Sequence, residues 1–232
     1  MRHSFRESRQ MPADGRLARL RHRRPARRGP RDFRLVAVRT EARTVDQALF
    51  DAIANADTPN LDTILVCLSR AADFSRLWLA TALGIVAVGG ARARRGAGLG
   101  VCAIGLASAV TNMAVKPSVG RRRPLPSTSR VPDSRRVRRP VSASFPSGHT
   151  ASAFAFASAV GEAVPVSWLP LHAAAVLVGY SRVHTGVHYP SDVVAGALIG
   201  AMCGWATRSL AHGRARSIVS GPTQKTFPGV AG

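Results

Sequence analysis

Five stretches of this chain carry no formal charge: 77–91, 96–115, 150–161, 163–181 and 193–207. The second, "GAGLGVCAIGLASAVTNMAV", has the length of one bilayer crossing at about 1.5 Å of rise per residue. The shorter runs need flanking residues or an adapted bilayer to cross. All are rich in Ala, Gly and Ser, which lets helices approach closely in lipid. A soluble bundle would show charges recurring at helical period on its outer faces, and these runs have no such face. The pattern predicts an all-α integral membrane bundle of about five transmembrane helices within residues 44–210. An amphipathic interfacial helix near 44–56, "TVDQALFDAIANA", precedes it. The segment 60–76 reads as a less apolar lead-in, because Asp62, Arg70, Asp73 and Arg76 argue against a sixth span. Strand signals are weak and no internal repeat is visible.

Charge changes the picture at the ends and in one loop. The net charge of +21 is concentrated in two blocks. Residues 1–43 hold fourteen arginines against Glu7, Asp14, Asp32 and Glu41, for a net of +10. Residues 116–140 hold Lys116 and eight arginines against Asp133, for +8, which leaves +3 for everything else. Residues 1–43 therefore read as a disordered Arg-rich arm, with attraction to anionic headgroups as a secondary role. Residues 211–232 read as a disordered tail. No apolar run follows the N-terminal charges before residue 44, so a signal peptide is not expected. "DSRRVRRP", 133–140, reads as a solvated basic loop that could gather anionic headgroups at a site entrance. Cys67, Cys102 and Cys203 lie in apolar stretches without zinc spacing and are expected as buried free thiols. The Ala-, Arg-, Gly- and Val-rich composition suits a bacterium with a GC-rich genome.

Two short basic loops, "ARARR" at 91–95 and "RSLAHGRAR" at 208–216, belong on the cytoplasmic side by the positive-inside rule. Residues 116–149 and 182–192 then share the extracytoplasmic face. With five spans the same count forces the Arg-rich N-terminus outside, against its own charge.

Those two extracytoplasmic loops hold the polar residues with chemical potential. Lys116, Arg123 and Arg182 are permanent cations, and the guanidiniums suit forked contacts with phosphoryl oxygens. Ser147 offers a hydroxyl, and Gly148 lets backbone N–H groups approach an anion at a helix start. His188 precedes Asp192 by four residues, so the carboxylate can fix one imidazole nitrogen and leave the other as a nucleophile. His149 can protonate a leaving oxygen and, once neutral, activate water. No acidic pair stands near these residues to hold Mg²⁺, so neither metal nor cofactor is expected. His184 and His172 receive no role, and Trp78, Trp168 and Trp205 read as interfacial anchors or packing residues.

In order, the chain reads Lys116, six residues, Arg123-Pro124; then Pro146-Ser147-Gly148-His149; then Ser181-Arg182, five residues, His188, three residues, Asp192. This resembles the type 2 phosphatidic acid phosphatase (PAP2) superfamily in all three motifs without a departure. That superfamily includes lipid phosphatases, bacterial acid phosphatases and vanadium haloperoxidases. The resemblance covers about residues 44–210 and implies a helical core and metal-independent hydrolysis of phosphate esters. By the match, His188 becomes a phosphohistidine, Asp192 orients it and His149 protonates the leaving group. Lys116, Arg123, Ser147, Gly148 and Arg182 then hold the phosphoryl oxygens.

The leading expectation is a multi-pass enzyme of the plasma membrane with its site on the extracytoplasmic face. It would act on a lipid phosphate or diphosphate. The short first-helix segment and "LDTILV" are similar to bacterial undecaprenyl-diphosphate phosphatases, which favours polyprenyl substrates. One alternative keeps the site and changes the chemistry to a vanadate-dependent haloperoxidase; the apolar runs count against it, because those relatives are soluble as a rule. Another is a non-enzymatic basic protein binding nucleic acid or anionic membranes through its arms. The +3 balance of the remaining chain offers no basic groove for nucleic acid, and deleting residues 1–43 separates these readings.

Overall fold

Each of the five uncharged runs is mostly helical in the computed structural model, which describes the backbone of residues 30–125 and 131–219 and side chains within 40–125 and 131–213. The helices are α1 (Pro30–Asn55), α2 (Pro59–Ala71), α3 (Arg76–Val88), α4 (Ala91–Ala109), α5 (Lys116–Val119), α6 (Gly148–Ala163), α7 (Trp168–His184) and α8 (Pro190–Val219). A π-helical turn, Val110–Val115, joins α4 to α5. No strand occurs among the described residues. The chain divides into Met1–Arg39 and Thr40–Gly232, and the bundle belongs to the second unit.

Two expectations change, and the lead-in gains a definite form. Helix α1 begins at Pro30, so residues 30–43 of the expected disordered arm are helical; residues 1–29 lie outside the described part. Helix α8 continues to Val219, so the expected tail is helical that far, and 220–232 again lie outside. The lead-in 60–76 is itself mostly helix, broken from α3 by a bend of 66°.

Two helical rods, Ala91–Val119 and Pro190–Gly213, are long and apolar enough to cross a membrane alone, and the bent pair α2–α3 makes a third if it is one broken span rather than a re-entrant loop. Helices α6 and α7, with 16 and 17 residues, are too short by that measure. The five expected spans are thus five helices, of which two or three meet the length and apolarity of a crossing.

Helix α6 is the centre, packed against α4, α7 and α8. Its inward faces are small: Ala151, Ala153, Ala155, Ala157 and Ala159 are fully buried. Small faces let backbones meet, and a Cβ on Gly200 of α8 would stand 2.2 Å from the Ala151 carbonyl oxygen. In lipid this dispersion contact replaces the hydrophobic drive that water would supply. The larger apolar residues Leu83, Leu169, Leu198 and Met202 face outward, as does Trp205. Trp78, by contrast, packs inside against Phe156. Of the three thiols only Cys203 is buried; Cys67 and Cys102 are exposed, which corrects the expectation for those two. They sit on outward helix faces, where a small apolar side chain and a bilayer are compatible.

Candidate active site

The site is built where α6 and α8 begin side by side. Ser147 is the N-cap of α6, its hydroxyl accepting from the Thr150 N–H. Pro190 opens α8, and the Asp192 carboxylate reaches back to accept the Tyr189 N–H at 2.9 Å, a capping box in form. The Ser147 N–H donates to the Asp192 carbonyl at 2.9 Å, which ties the two starts together. Asp192 is therefore both a helix-start residue and a neighbour of His188.

His188 is buried between two partners. Its Nε2 lies 3.0 Å from Arg123 Nη1 and its Nδ1 lies 3.4 Å from Asp192 Oδ2. A guanidinium only donates, so Nε2 accepts and carries the lone pair, and the proton belongs on Nδ1 beside the carboxylate. The Nδ1 contact is long because Oδ2 also accepts from the Ser144 hydroxyl and the Tyr189 N–H. Burial pushes the His188 pKa down to about 3, and the positive charges of Arg123 and Arg182 add to that shift against the pull of Asp192. The imidazole is thus neutral near pH 7, the state a nitrogen nucleophile requires.

The cations are held by fixed acceptors. Arg123 donates to the carbonyls of Val187 at 2.8 Å and Ser142 at 3.0 Å. The π-helical turn ends at Lys116, whose Nζ donates to Asn112 at 2.8 Å. Such turns recur at functional sites because they offset the side chains that follow. Arg182 is 1% exposed and donates through Nη1 to the Ser69 hydroxyl at 2.6 Å. Its Nε and Nη2 are buried donors without a hydrogen-bond partner among the described residues. Buried guanidinium donors are rarely left unused unless an anion is to be bound there.

Lys116, Arg123, Gly148, His149 and His188 line one cavity of about 430 Å³. Ser147, Arg182 and Asp192 stand behind that wall, bonded as described. The sequence motifs therefore converge as residues in space.

Several neighbours were not anticipated. Asp73 Oδ1 lies 2.8 Å from His149 Nε2 and 3.6 Å from Arg182 Nη1. Asp46 of α1 receives Arg121 Nη2 at 2.5 Å, while Arg121 Nη1 reaches Asp192 Oδ1 at 2.9 Å. Asp46 also accepts the Ser191 N–H at 2.8 Å. The basic loop 133–140 is only partly solvated: Arg138 is exposed, but Arg135 is 2% exposed, ion-paired to Asp62 at 2.8 Å and bonded to the Ala56 carbonyl at 2.7 Å. His184, also buried, donates to the same carboxylate at 3.0 Å. The available signal was the presence of Asp62 and Asp73 in an otherwise apolar stretch, since ionisable residues at membrane depth usually mark function or a buried partner.

Comparison with known proteins fits this geometry. Residues 96–216, more than half the chain, match the PAP2 superfamily. The chain belongs to that superfamily. It is 34% identical over 114 residues to a lipid A 4'-phosphatase of Bacteroides thetaiotaomicron, covering 47% of this chain and 51% of that one. It is 40% identical over 82 residues to a decaprenylphosphoryl-5-phosphoribose phosphatase of Mycobacterium tuberculosis, covering 34% and 43%. The matched stretch thus spans about half or less of these curated relatives. Among solved structures, LpxE of Aquifex aeolicus superposes with a TM-score of 0.58 at 28% identity, covering 71% of this chain and 95% of that one. A transmembrane PAP2-type phosphatidylglycerolphosphate phosphatase of Bacillus subtilis gives 0.57 at 22%, covering 75% and 87%, and shows the shared fold. With the apolar helices, these neighbours make the chain a membrane protein of the PAP2 superfamily.

Proposed function

We propose that this PAP2 protein hydrolyses the phosphate or diphosphate ester of a membrane lipid, through a phosphohistidine on His188 and without a metal. The observation that carries the reading is the pair of unspent buried donors on Arg182, directly behind the cavity that Lys116, Arg123 and two histidines line. His188 Nε2 attacks phosphorus, and Asp192 stabilises the imidazole cation that results. His149 protonates the leaving oxygen, then takes a proton from water in the second half. Lys116, Arg123, Arg182, the Ser147 hydroxyl and the Gly148 backbone hold the equatorial oxygens, where charge develops. The donors are cationic or N–H and O–H groups, suited to an anion directly.

The named relatives act on different lipids that share a phosphate ester, which supports the class of substrate. A polyprenyl phosphate or diphosphate and a phosphorylated saccharolipid both belong to that class. The basic loops 91–95 and 208–216 favour a site on the extracytoplasmic side of the cell membrane. No nucleic acid is needed as partner.

The test is orthophosphate release by detergent-purified protein from a panel of lipid phosphates, with His188→Ala and His149→Ala alongside. Wild type should act in EDTA and be inhibited by vanadate, and both variants should be folded and inactive. Turnover by His188→Ala would sink the covalent route, and a strict Mg²⁺ requirement would point to another apparatus.

A further inference from the structure

Among the cavity-lining residues, Lys116, Arg123, Arg138 and Arg139 are cations, and Asp73 is the one acid. A carboxylate there repels the phosphate it must share space with, so its presence requires a purpose. Its place is also held at a conformational cost. Asp73 opens the turn between α2 and α3, and the two residues after it, Phe74 (φ 54°) and Ser75 (φ 60°), are both left-handed without being glycine. Such strain persists where surroundings enforce it and gathers at working sites.

What the turn delivers is the contact between Asp73 Oδ1 and His149 Nε2, at 2.8 Å. An ionised carboxylate only accepts, so Nε2 carries hydrogen and Nδ1 is the nitrogen left for chemistry. Among the described residues Nδ1 makes no hydrogen bond. His188 is the mirror image: its Nδ1 faces Asp192 and its Nε2 is left for chemistry. Burial, with the facing cations Arg182 of α7 and Lys116 of α5, holds the His149 pKa below its ordinary value, and Asp73 is the single group opposing them.

We propose that Asp73 is the positioning residue for the leaving-group proton, holding His149 by Nε2 so that Nδ1 carries and returns that proton. The inference rests on the phosphohistidine reading above. As the bond from His188 Nε2 to phosphorus forms, the phosphorus–oxygen ester bond breaks and its electron pair stays on oxygen. The Nδ1 proton moves to that oxygen and the alcohol leaves neutral. Neutral His149 then takes a proton from water while the water oxygen bonds to phosphorus. The phosphorus–nitrogen bond returns its pair to His188, and orthophosphate leaves. Asp73 remains a carboxylate throughout.

The experiment compares Asp73→Asn with wild type on two esters: phosphatidate, whose alkoxide must be protonated, and p-nitrophenyl phosphate, whose leaving group needs no proton. The kcat for phosphatidate should fall on the order of 100-fold, the low end for general acid catalysis. The aryl ester should lose at least about tenfold less, since general acid assistance matters less for it. The alkaline limb of the phosphatidate profile should move to lower pH, because the imidazolium has lost its counter-charge, and Asp73→Glu should regain part of the rate. Equal losses on both esters with an unmoved limb, or no loss, would overturn the proposal and leave Asp73 a hinge contact. His188→Ala separates the two readings: it should silence both esters whatever Asp73 does. Retained turnover there would remove the phosphohistidine reading and this inference with it.

Discussion

The N–H of Ser147 donates to the carbonyl of Asp192, so the N-cap of one helix is hydrogen-bonded to the first turn of another. This link places the two motifs that hold His149 and His188 on a common wall. It also makes the distance between α6 and α8 a catalytic variable, because helix starts that separate would carry the two imidazoles apart.

Gly196 is the residue that permits that distance. A Cβ there would stand 2.5 Å from the Ser147 carbonyl oxygen, closer than any real contact, and the obstacle is backbone that cannot rotate away. Gly196→Ala should therefore destabilise the protein by about 1–3 kcal/mol, the usual cost of overpacking. Turnover should fall along with the melting temperature measured in detergent. Gly98, with open space around it, is the control, and Gly98→Ala should be neutral or slightly stabilising. Equal effects of the two substitutions would refute the close-approach argument.

Arg121 links α1 to the nucleophile's carboxylate. It pairs with both Asp46 and Asp192 and lies over the Tyr189 ring at 4.1 Å. Removing it strands Asp46, which is 6% exposed, and frees Oδ1 of Asp192. Arg121→Gln should cost about 3 kcal/mol, at the lower end for a broken buried pair because Arg121 itself is partly exposed. The rate should drop roughly tenfold if about 1.4 kcal/mol of that loss reaches the transition state. The adjacent Arg122 is exposed, and Arg122→Gln should stay within about 0.5 kcal/mol. Urea or thermal melts with kcat values for both variants decide the matter.

The contrast between Arg121, Arg122 and Arg123 shows what the sequence could disclose. The match to the PAP2 motif singles out Arg123, which does contact His188, but nothing in "RRR" itself separates a residue bonded across the fold from one in solvent. Helix existence was legible because a run of uncharged residues is a local property. The breaks, lengths and burial of charges were not, because they depend on partners distant in the chain. Asp62 and Asp73 argued against a span when read along the sequence, yet each is paired: with Arg135 and His184, and with His149. Asp46 was an ordinary polar position of an amphipathic helix until α8 was placed beside it. Cys67 and Cys102 were expected inside because lipid-facing and core-facing positions carry the same apolar letters.

Arg135 should behave as a core residue although it lies in a basic loop. It joins the α1–α2 connection, through the Ala56 carbonyl and Thr58 hydroxyl, to Asp62. Arg135→Ala would leave Asp62 and His184 without that cation and several carbonyls without a donor. A loss of about 3–5 kcal/mol follows from breaking one side of a buried pair. Arg135→Lys should recover only part of it, because one ammonium cannot reproduce the fork. Replacing Arg138, exposed in the same loop, should leave the melting temperature unchanged. If Arg135→Ala melts with wild type, the loop is solvated after all.

The ionisation of His188 predicts how stability responds to acid. An imidazole whose folded pKa is about 3, against an ordinary 6.5, binds its proton less readily in the folded protein than in the unfolded chain. Its contribution is complete above about pH 6.5 and is lost progressively as the pH falls from there toward 3. Wild type should lose stability relative to His188→Gln over that window, because glutamine has no charge to acquire. The two melting curves should run parallel above it. Trapped phosphoenzyme should follow the same logic: its formation needs the neutral ring, so it should persist well below pH 6.5 in the wild type before failing. Curves that stay parallel through the acid range would mean that the ring is not neutral and enclosed in the folded protein, and the nucleophile would have to be sought elsewhere.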